Sequence, residues 1–244
     1  MPIESKEWKI LLENNVLPST VHLIPSLIIF LGSFGDFDSI EYAQNLKNYI
    51  DKNKKEFNFR LIGIGSQASK ERFSLYTGIH SNNLLSFESS EIHDKLDLNK
   101  GLRINDNTYI NLLLMCCGIS SKGTLKEVLR GYLGDRRSDP IYSKDDFIDF
   151  QLIPKIQASL FSIIYPKEFQ RPFELATRRL ENMIEILRHW HIYNPAGTLL
   201  TQRGGTFLFE NTGKLLYSYR PISLLRYSET MYDPLAFFRY IDRN

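Results

Sequence analysis

The sequence predicts an α/β fold in which a central mixed sheet is flanked by helices. Two observations predict it. Three short apolar runs alternate with stretches of helical periodicity in the N-terminal part of the chain, which is the mark of βαβ units. Two further runs near the C-terminus flank a glycine-containing turn, the mark of an antiparallel hairpin. At 244 residues the chain is long for one domain and too short for two large ones, so a single domain over 1–244 is expected.

The first strand is Leu27-Ile28-Ile29-Phe30-Leu31, ended by Gly32; its length and β-branched content suit a strand buried on both faces. A helix follows. Asp38 with Glu41 three residues on is a candidate N-cap and capping box, and Ile40, Ala43, Leu46 and Ile50 recur at helical spacing. Phe57 to Ile64 reads as the second strand. Ser69 to Tyr76 reads as a helix that turns Phe73 and Tyr76 inward and stops at Gly78. Leu84 to Phe87 is a short third strand, and Ser89 or Ser90 is placed to cap a helix carrying Ile92, Leu96 and Leu98.

Tyr109 to Cys117 is largely apolar and fits either a strand or a buried helix, which periodicity does not separate. Thr124 with Glu127 is a second capping box, with Leu125, Val128, Leu129 and Tyr132 on one helix face and Gly134 as the stop. Residues 135–149 are polar and turn-rich. Arg171-Pro172 precedes the clearest helix, proline being favoured at a first helical position. Its apolar stripe is Phe173, Ala176, Leu180, Met183, Ile184, Leu187 and Trp190. Packing of that stripe on the core is expected, with a docking face for a partner or a second copy as the alternative. Thr206–Phe209 and Leu215–Tyr219 flank Glu210-Asn211-Thr212-Gly213 as the hairpin, and Pro234 to Tyr240 reads as a last helix.

Composition narrows the function classes. Thirty basic and 28 acidic residues leave a net charge of +2, which gives no pull toward nucleic acid or anionic lipid. Arg136-Arg137 and Arg178-Arg179 read as solvated faces. The two cysteines, Cys116 and Cys117, are adjacent, which excludes a secreted disulfide framework and fits a reducing compartment. Residues Met1 to Pro18 carry Glu4, Glu7 and Glu13 and lack both the apolar core of a signal peptide and the Arg/Ser-rich character of a transit peptide. The apolar run Val21 to Leu31 contains Pro25 and is about half the ~20 residues a membrane-spanning helix needs. A cytoplasmic or plastid-stromal protein without a membrane span or a nucleic-acid partner is expected.

Two segments resemble a known family. Ser26-Leu-Ile-Ile-Phe-Leu-Gly-Ser-Phe-Gly-Asp36-Phe-Asp-Ser39-Ile-Glu is similar to the first strand and active-site turn of the peroxiredoxin-like branch of the alkyl hydroperoxide reductase/thiol-specific antioxidant superfamily. Gln202-Arg-Gly-Gly-Thr-Phe-Leu-Phe-Glu-Asn-Thr-Gly-Lys-Leu-Leu-Tyr is similar to its C-terminal Gly-Gly strand–turn–strand. Arg60 to Ser66, Leu96 to Arg103 and Arg130 to Asp135 resemble stretches between the two. The resemblance implies a thioredoxin-like fold, with 136–200 as a large, partly helical insertion of the pattern seen in plant-plastid and cyanobacterial members.

The resemblance also implies where the chemistry should sit, and there this chain departs from the pattern. Lining up Phe34-Gly35 with the family's Phe-Gly puts Asp36 where the first cysteine of Cys-x-x-Cys belongs and Ser39 where the second belongs. Thiol peroxidases rely on a thiolate whose pKa a helix N-terminus lowers. Neither a carboxylate nor an unactivated hydroxyl is oxidised in that way, so no catalytic residue is expected at this turn. Asp36 and Ser39 read as helix-capping groups, with a retained small-ligand or partner cleft as the alternative. Arg203 is expected near the same turn, either paired with Asp36 or exposed. Gly204 and Gly205 are expected to allow close backbone approach to the first helix.

Cys116 and Cys117 lie in an apolar context, which favours core packing over a relocated redox pair. His189-Trp190-His191 lacks the spacing of a zinc site, and no metal or cofactor is implied. Three readings of function follow: a non-catalytic binding or regulatory protein, with an unknown protein partner or a homo-oligomer; a thiol-dependent antioxidant enzyme working through Cys116 or Cys117; and a structural subunit of a larger assembly.

Overall fold

A computed structural model describes residues 4–18, 21–53, 57–150, 153–164, 168–194 and 197–241. The chain opens with α1 (Lys6–Glu13), which the sequence reading did not anticipate, and continues with β1 (Ser26–Phe30), α2 (Phe37–Lys52), β2 (Asn58–Ile64), α3 (Gln67–Thr77), β3 (Leu84–Phe87) and α4 (Glu91–Lys95). Next come α5 (Thr108–Cys116), α6 (Thr124–Leu133), the two-residue strands β4 (Phe147–Ile148) and β5 (Ile156–Gln157), α7 (Ser159–Ile164), α8 (Glu174–Arg188) and α9 (Trp190–Tyr193). The chain closes with β6 (Gly205–Phe209), β7 (Leu215–Tyr219) and a 3₁₀ turn at Ala236–Tyr240.

The main sheet has the order β3-β2-β1-β6-β7. β1 pairs parallel with β2 and antiparallel with β6; β2–β3 is parallel and β6–β7 antiparallel. This mixed sheet with flanking helices is the thioredoxin-like arrangement. β1 is central and buried at every position, as its continuous apolar run requires.

Side chains alternate across the sheet. Leu27, Ile29 and Leu31 face Ile40, Leu46 and Phe73 of α2 and α3. Ile28 and Phe30 face Trp8 and Leu11 of α1 and Ile92 of α4. The alternation explains α1: its Trp8 and Leu11, both fully buried, cover the sheet face that presents Ile28 and Phe30.

Several local expectations are corrected. Pro172 lies outside α8, whose N-cap is Phe173, and the periodic stretch ending at Trp190 is two helices, α8 and α9. Thr124 is not an N-cap; Gly123 holds that position and the Thr124 hydroxyl donates to Leu224 O at 3.1 Å.

The largest correction concerns α6 and α8. Both turn charged residues inward: Glu127 on α6, and Glu174, Glu181 and Glu185 on α8. Each acid has a partner. Glu185 is held by Arg72 at 2.6 and 2.7 Å, and Glu181 by the Tyr142 hydroxyl. Glu174 pairs with the buried Arg171, and Glu127 with Arg130 at 2.6 Å. Arg179 is not a solvated cation either; it pairs with Glu41 of α2 at 2.7 Å. The side of α8 facing the body therefore combines these paired acids with the buried Leu175 and Ile186, while Phe173, Leu180, Met183 and Leu187 are left in solvent.

Candidate functional site

β1 delivers the chain to a turn at Gly32–Gly35, and α2 begins immediately after it. Asp36 is the N-cap of α2: one carboxylate oxygen accepts from the Asp38 N–H at 3.4 Å and the other from the Ser39 hydroxyl at 3.4 Å. The cap thus lies two residues before the Asp38–Glu41 box read from the sequence. Asp38, in the first turn, and Glu41, in the second, are instead buried and bind other parts of the chain.

Arg203 closes the site from the loop before β6. Its guanidinium is 1 % exposed. Nε donates to Thr201 O at 3.0 Å, Nη1 donates to Asp38 Oδ2 at 3.0 Å, and Nη2 stands 3.4 Å from Asp36 Oδ2. Of the two alternatives left open by the sequence, the structure therefore has Arg203 paired, and with both aspartates. Asp38 also accepts the Leu225 backbone N–H at 2.8 and 2.9 Å. One carboxylate thus ties the start of α2 to the loop before β6 and to the segment after β7.

Two carboxylates share one guanidinium away from water, and a buried charge that is incompletely balanced prefers its neutral form. Burial pushes Asp36 above the usual carboxylate range. Burial, with the charge of Asp36 adding to it and Arg203 opposing, pushes Asp38 up to about 8.

Gly204 makes the contact with β1 possible: a Cβ there would stand 1.9 Å from the Phe30 carbonyl oxygen. The close approach is therefore to the end of β1 rather than to the first helix. At Gly205 the nearest neighbour of a Cβ would be the end of the Leu98 side chain, at 2.6 Å. Asp36, Ser39, Arg203, Gly204 and Gly205 all line one cavity of about 20 Å³, room for a single water.

A second ring of residues fixes the first. Tyr42 and Thr206 share a hydrogen bond of 2.9 Å, Tyr42 stacks on Tyr227 at 4.7 Å, and the Tyr227 hydroxyl donates to Glu41 at 3.0 Å. Burial raises the pKa of both phenols far above their ordinary value, so neither ionises. From the other face of the sheet, His93, fully buried, donates from Nε2 to Leu31 O at 2.8 Å, and burial lowers its pKa, which keeps the ring neutral. Sequence reasoning missed Asp38, Tyr42, His93 and Tyr227 as parts of this site.

Core packing of the cysteine pair is corrected. α5 is a helix that turns Asn111 and Met115 inward, and both Cys116 and Cys117 are exposed. The protein packed around Cys116 nonetheless raises its thiol pKa, with Cys117, Asp38 and Asp36 pushing the same way and Arg203 opposing. Cys116 is thus within electrostatic reach of the Asp36–Arg203–Asp38 cluster and stays protonated. Among the described residues no group of three or more His, Cys, Asp or Glu is placed to hold a metal, and no helix is long and apolar enough to cross a membrane.

A family model described as AhpC/TSA antioxidant enzyme matches residues 44–221. The chain belongs to the AhpC/TSA family. The match spans most of the sheet and its helices, and it runs through 136–200. It begins eight residues past Asp36, so the turn itself lies outside the matched stretch. No curated protein matches the chain, and no solved structure does. In this AhpC/TSA member the β1–α2 turn carries an acid–guanidinium cluster.

Proposed function

We propose that this chain is a non-catalytic member of the AhpC/TSA family, a binding or regulatory protein in which the turn used for thiol chemistry has become a structural ion cluster. The observation that carries this reading is Arg203, enclosed and bound to both Asp36 and Asp38. A peroxide would need a thiolate at this turn and space beside it. The turn offers two oxygen side chains and a cavity the size of one water. In this reading the segment 136–200 is an insertion that adds contact surface, and the compartment is a reducing one, cytoplasm or plastid stroma, in which neighbouring exposed thiols stay reduced.

One observation favours a second reading. Cys116 and Cys117 reach solvent, and Cys116 feels the charges of the cluster. That reading makes the chain a thiol-dependent antioxidant with a relocated sulfur. Against it stands the sign of the effect, since a thiol with a raised pKa is a poor nucleophile at neutral pH.

Peroxide consumption by the reduced protein separates the two. The non-catalytic reading expects no turnover above a protein-free control. Turnover abolished by Cys116→Ser would establish the thiol reading instead.

A further inference from the structure

α2, the end of α3 and the first turns of α8 do not close on one another completely. They leave a cavity of about 230 Å³ that opens to solvent, and it shares no lining residue with the small cavity at the β1–α2 turn. Its size lies between the ~150 Å³ apolar cavity that accepts benzene and the ~300–1,000 Å³ of sites for drug-sized molecules. A molecule of a few carbons fits.

Most polar groups on its wall are committed to the protein. Gln44 exchanges two hydrogen bonds with Asn182, at 2.9 and 3.1 Å, and the Tyr76 hydroxyl donates to the same Asn182 at 3.1 Å. Lys47 donates to Asp51 at 2.6 Å. Glu41 is balanced by Arg179 at 2.7 Å and accepts the Tyr227 hydroxyl at 3.0 Å. Three groups are not so committed. Asn45 uses Nδ2 on the Tyr227 hydroxyl at 2.6 Å, which leaves its Oδ1 without a partner among the described residues. The exposed Asn48 side chain has none there either. The third is the Arg178 guanidinium.

Arg178 is held but not satisfied. Its side chain is 29 % exposed, and the guanidinium lies 4.5 Å over the Tyr142 ring, which orients its plane. Glu181, the acid beside it, stands 3.6 Å away, beyond the ~2.7–3.2 Å of an N–H···O bond. Both Glu181 oxygens are already taken, one by the Tyr142 hydroxyl and the other by the Asp149 N–H at 2.9 Å. A guanidinium presents its N–H donors as a rigid fork, and that fork matches a carboxylate or a phosphate. Among the described residues no acceptor fills it.

We propose that this cavity binds a small organic anion whose carboxylate or phosphate group bonds Arg178 and whose other polar groups bond Asn45 and Asn48. Leu175 and Ile141 on the same wall give its carbons an apolar side to lie against. The other charges on the wall are offset, Glu41 by Arg179 and Lys47 by Asp51, so the charge left to answer a ligand is that of Arg178. This adds a ligand class to the binding role proposed above. It does not depend on the chemistry of the β1–α2 turn, since peroxide turnover at a thiol would leave this cavity as it is.

Isothermal titration calorimetry of the full chain with sn-glycerol 3-phosphate, malate and glycerol tests this. The expected result is saturable binding of at least one of the two anions and none of glycerol. Binding of glycerol 3-phosphate alone assigns a phosphate group to Arg178, and binding of malate alone a carboxylate. Arg178→Gln should weaken that binding about tenfold or more, through loss of a charged hydrogen bond. Asn48→Asp puts a negative charge at an exposed position of the wall and should weaken it about threefold or more. Lys126→Gln, which removes an exposed cation on α6, should change it less than about twofold. Circular dichroism spectra of the three variants should match the wild type. Binding of neither anion overturns the proposal. So does glycerol binding as tightly as the anions, or a folded Arg178→Gln protein with wild-type affinity.

Discussion

Arg203 donates to Asp38 at 3.0 Å across the gap between the loop before β6 and the first turn of α2, with neither side chain open to solvent. Asp36 and the Leu225 backbone complete the cluster. Breaking a buried pair by removing one partner is costly because a charge is left without compensation. Arg203→Met should therefore lower the unfolding free energy by about 3–5 kcal/mol in urea titrations. Adding Asp36→Asn and Asp38→Asn to that variant should recover part of the loss. An Arg203→Met protein as stable as wild type would mean that the cluster does not hold the turn.

The same cluster sets a pH dependence. The pKa of Asp38 is raised by burial from an unfolded value of about 3.9 to about 8 in the folded chain. Between those values the folded state binds the proton and the unfolded state does not. The contribution of Asp38 is therefore fully present below pH ~4 and is lost as pH rises through the folded value. Asp38→Asn should remove that slope. The melting temperature of the wild type should fall relative to the variant on going from pH 5 to pH 9. Parallel profiles would show that Asp38 does not titrate with folding.

Cys116 reports on the cluster from outside. Its thiol is held above the ordinary range by the surrounding protein, then by Cys117 and Asp38. In a Cys117→Ser background, the pH–rate profile of maleimide labelling of the native protein should rise with a midpoint above the ordinary thiol value of about 8.5. Asp38→Asn should move that midpoint down. A midpoint below the ordinary value would mark an activated thiol and favour the enzymatic reading.

How much of this was legible in the sequence varies with the element. β1 could be read from its uninterrupted apolar run, β2 from its apolar residues ended by Gly63 and Gly65, and α3 from its glycine stop, because those signals depend on local backbone preference. The cluster itself could not, since Asp38 and Arg203 are 165 residues apart and meet only because β6 pairs with β1. The direction of α8 was misread for a related reason. A hydrophobic stripe predicts which side prefers to leave water, and here Arg72, Tyr142 and Arg171 draw the acidic side inward instead. The same holds for Cys116 and Cys117, which look like core residues in an apolar helix that turns only Asn111 and Met115 inward.

Gly204 and Gly205 should respond differently to a methyl group. At Gly204 the obstacle is the Phe30 backbone at 1.9 Å, which cannot move without breaking the β1–β6 pairing. At Gly205 it is the flexible end of Leu98 at 2.6 Å. Gly204→Ala should cost about 3 kcal/mol or more, and Gly205→Ala clearly less. Equal losses in denaturant titrations would contradict the close approach as the reason for the first glycine.

The central claim is that the β1–α2 turn holds the fold together and performs no thiol chemistry. The most direct measurement is the rate of hydrogen peroxide loss with fully reduced protein and excess dithiol, compared with the Cys116→Ser/Cys117→Ser variant and a protein-free blank. All three traces are expected to coincide. A saturable rate in the wild type that the double variant lacks would contradict it.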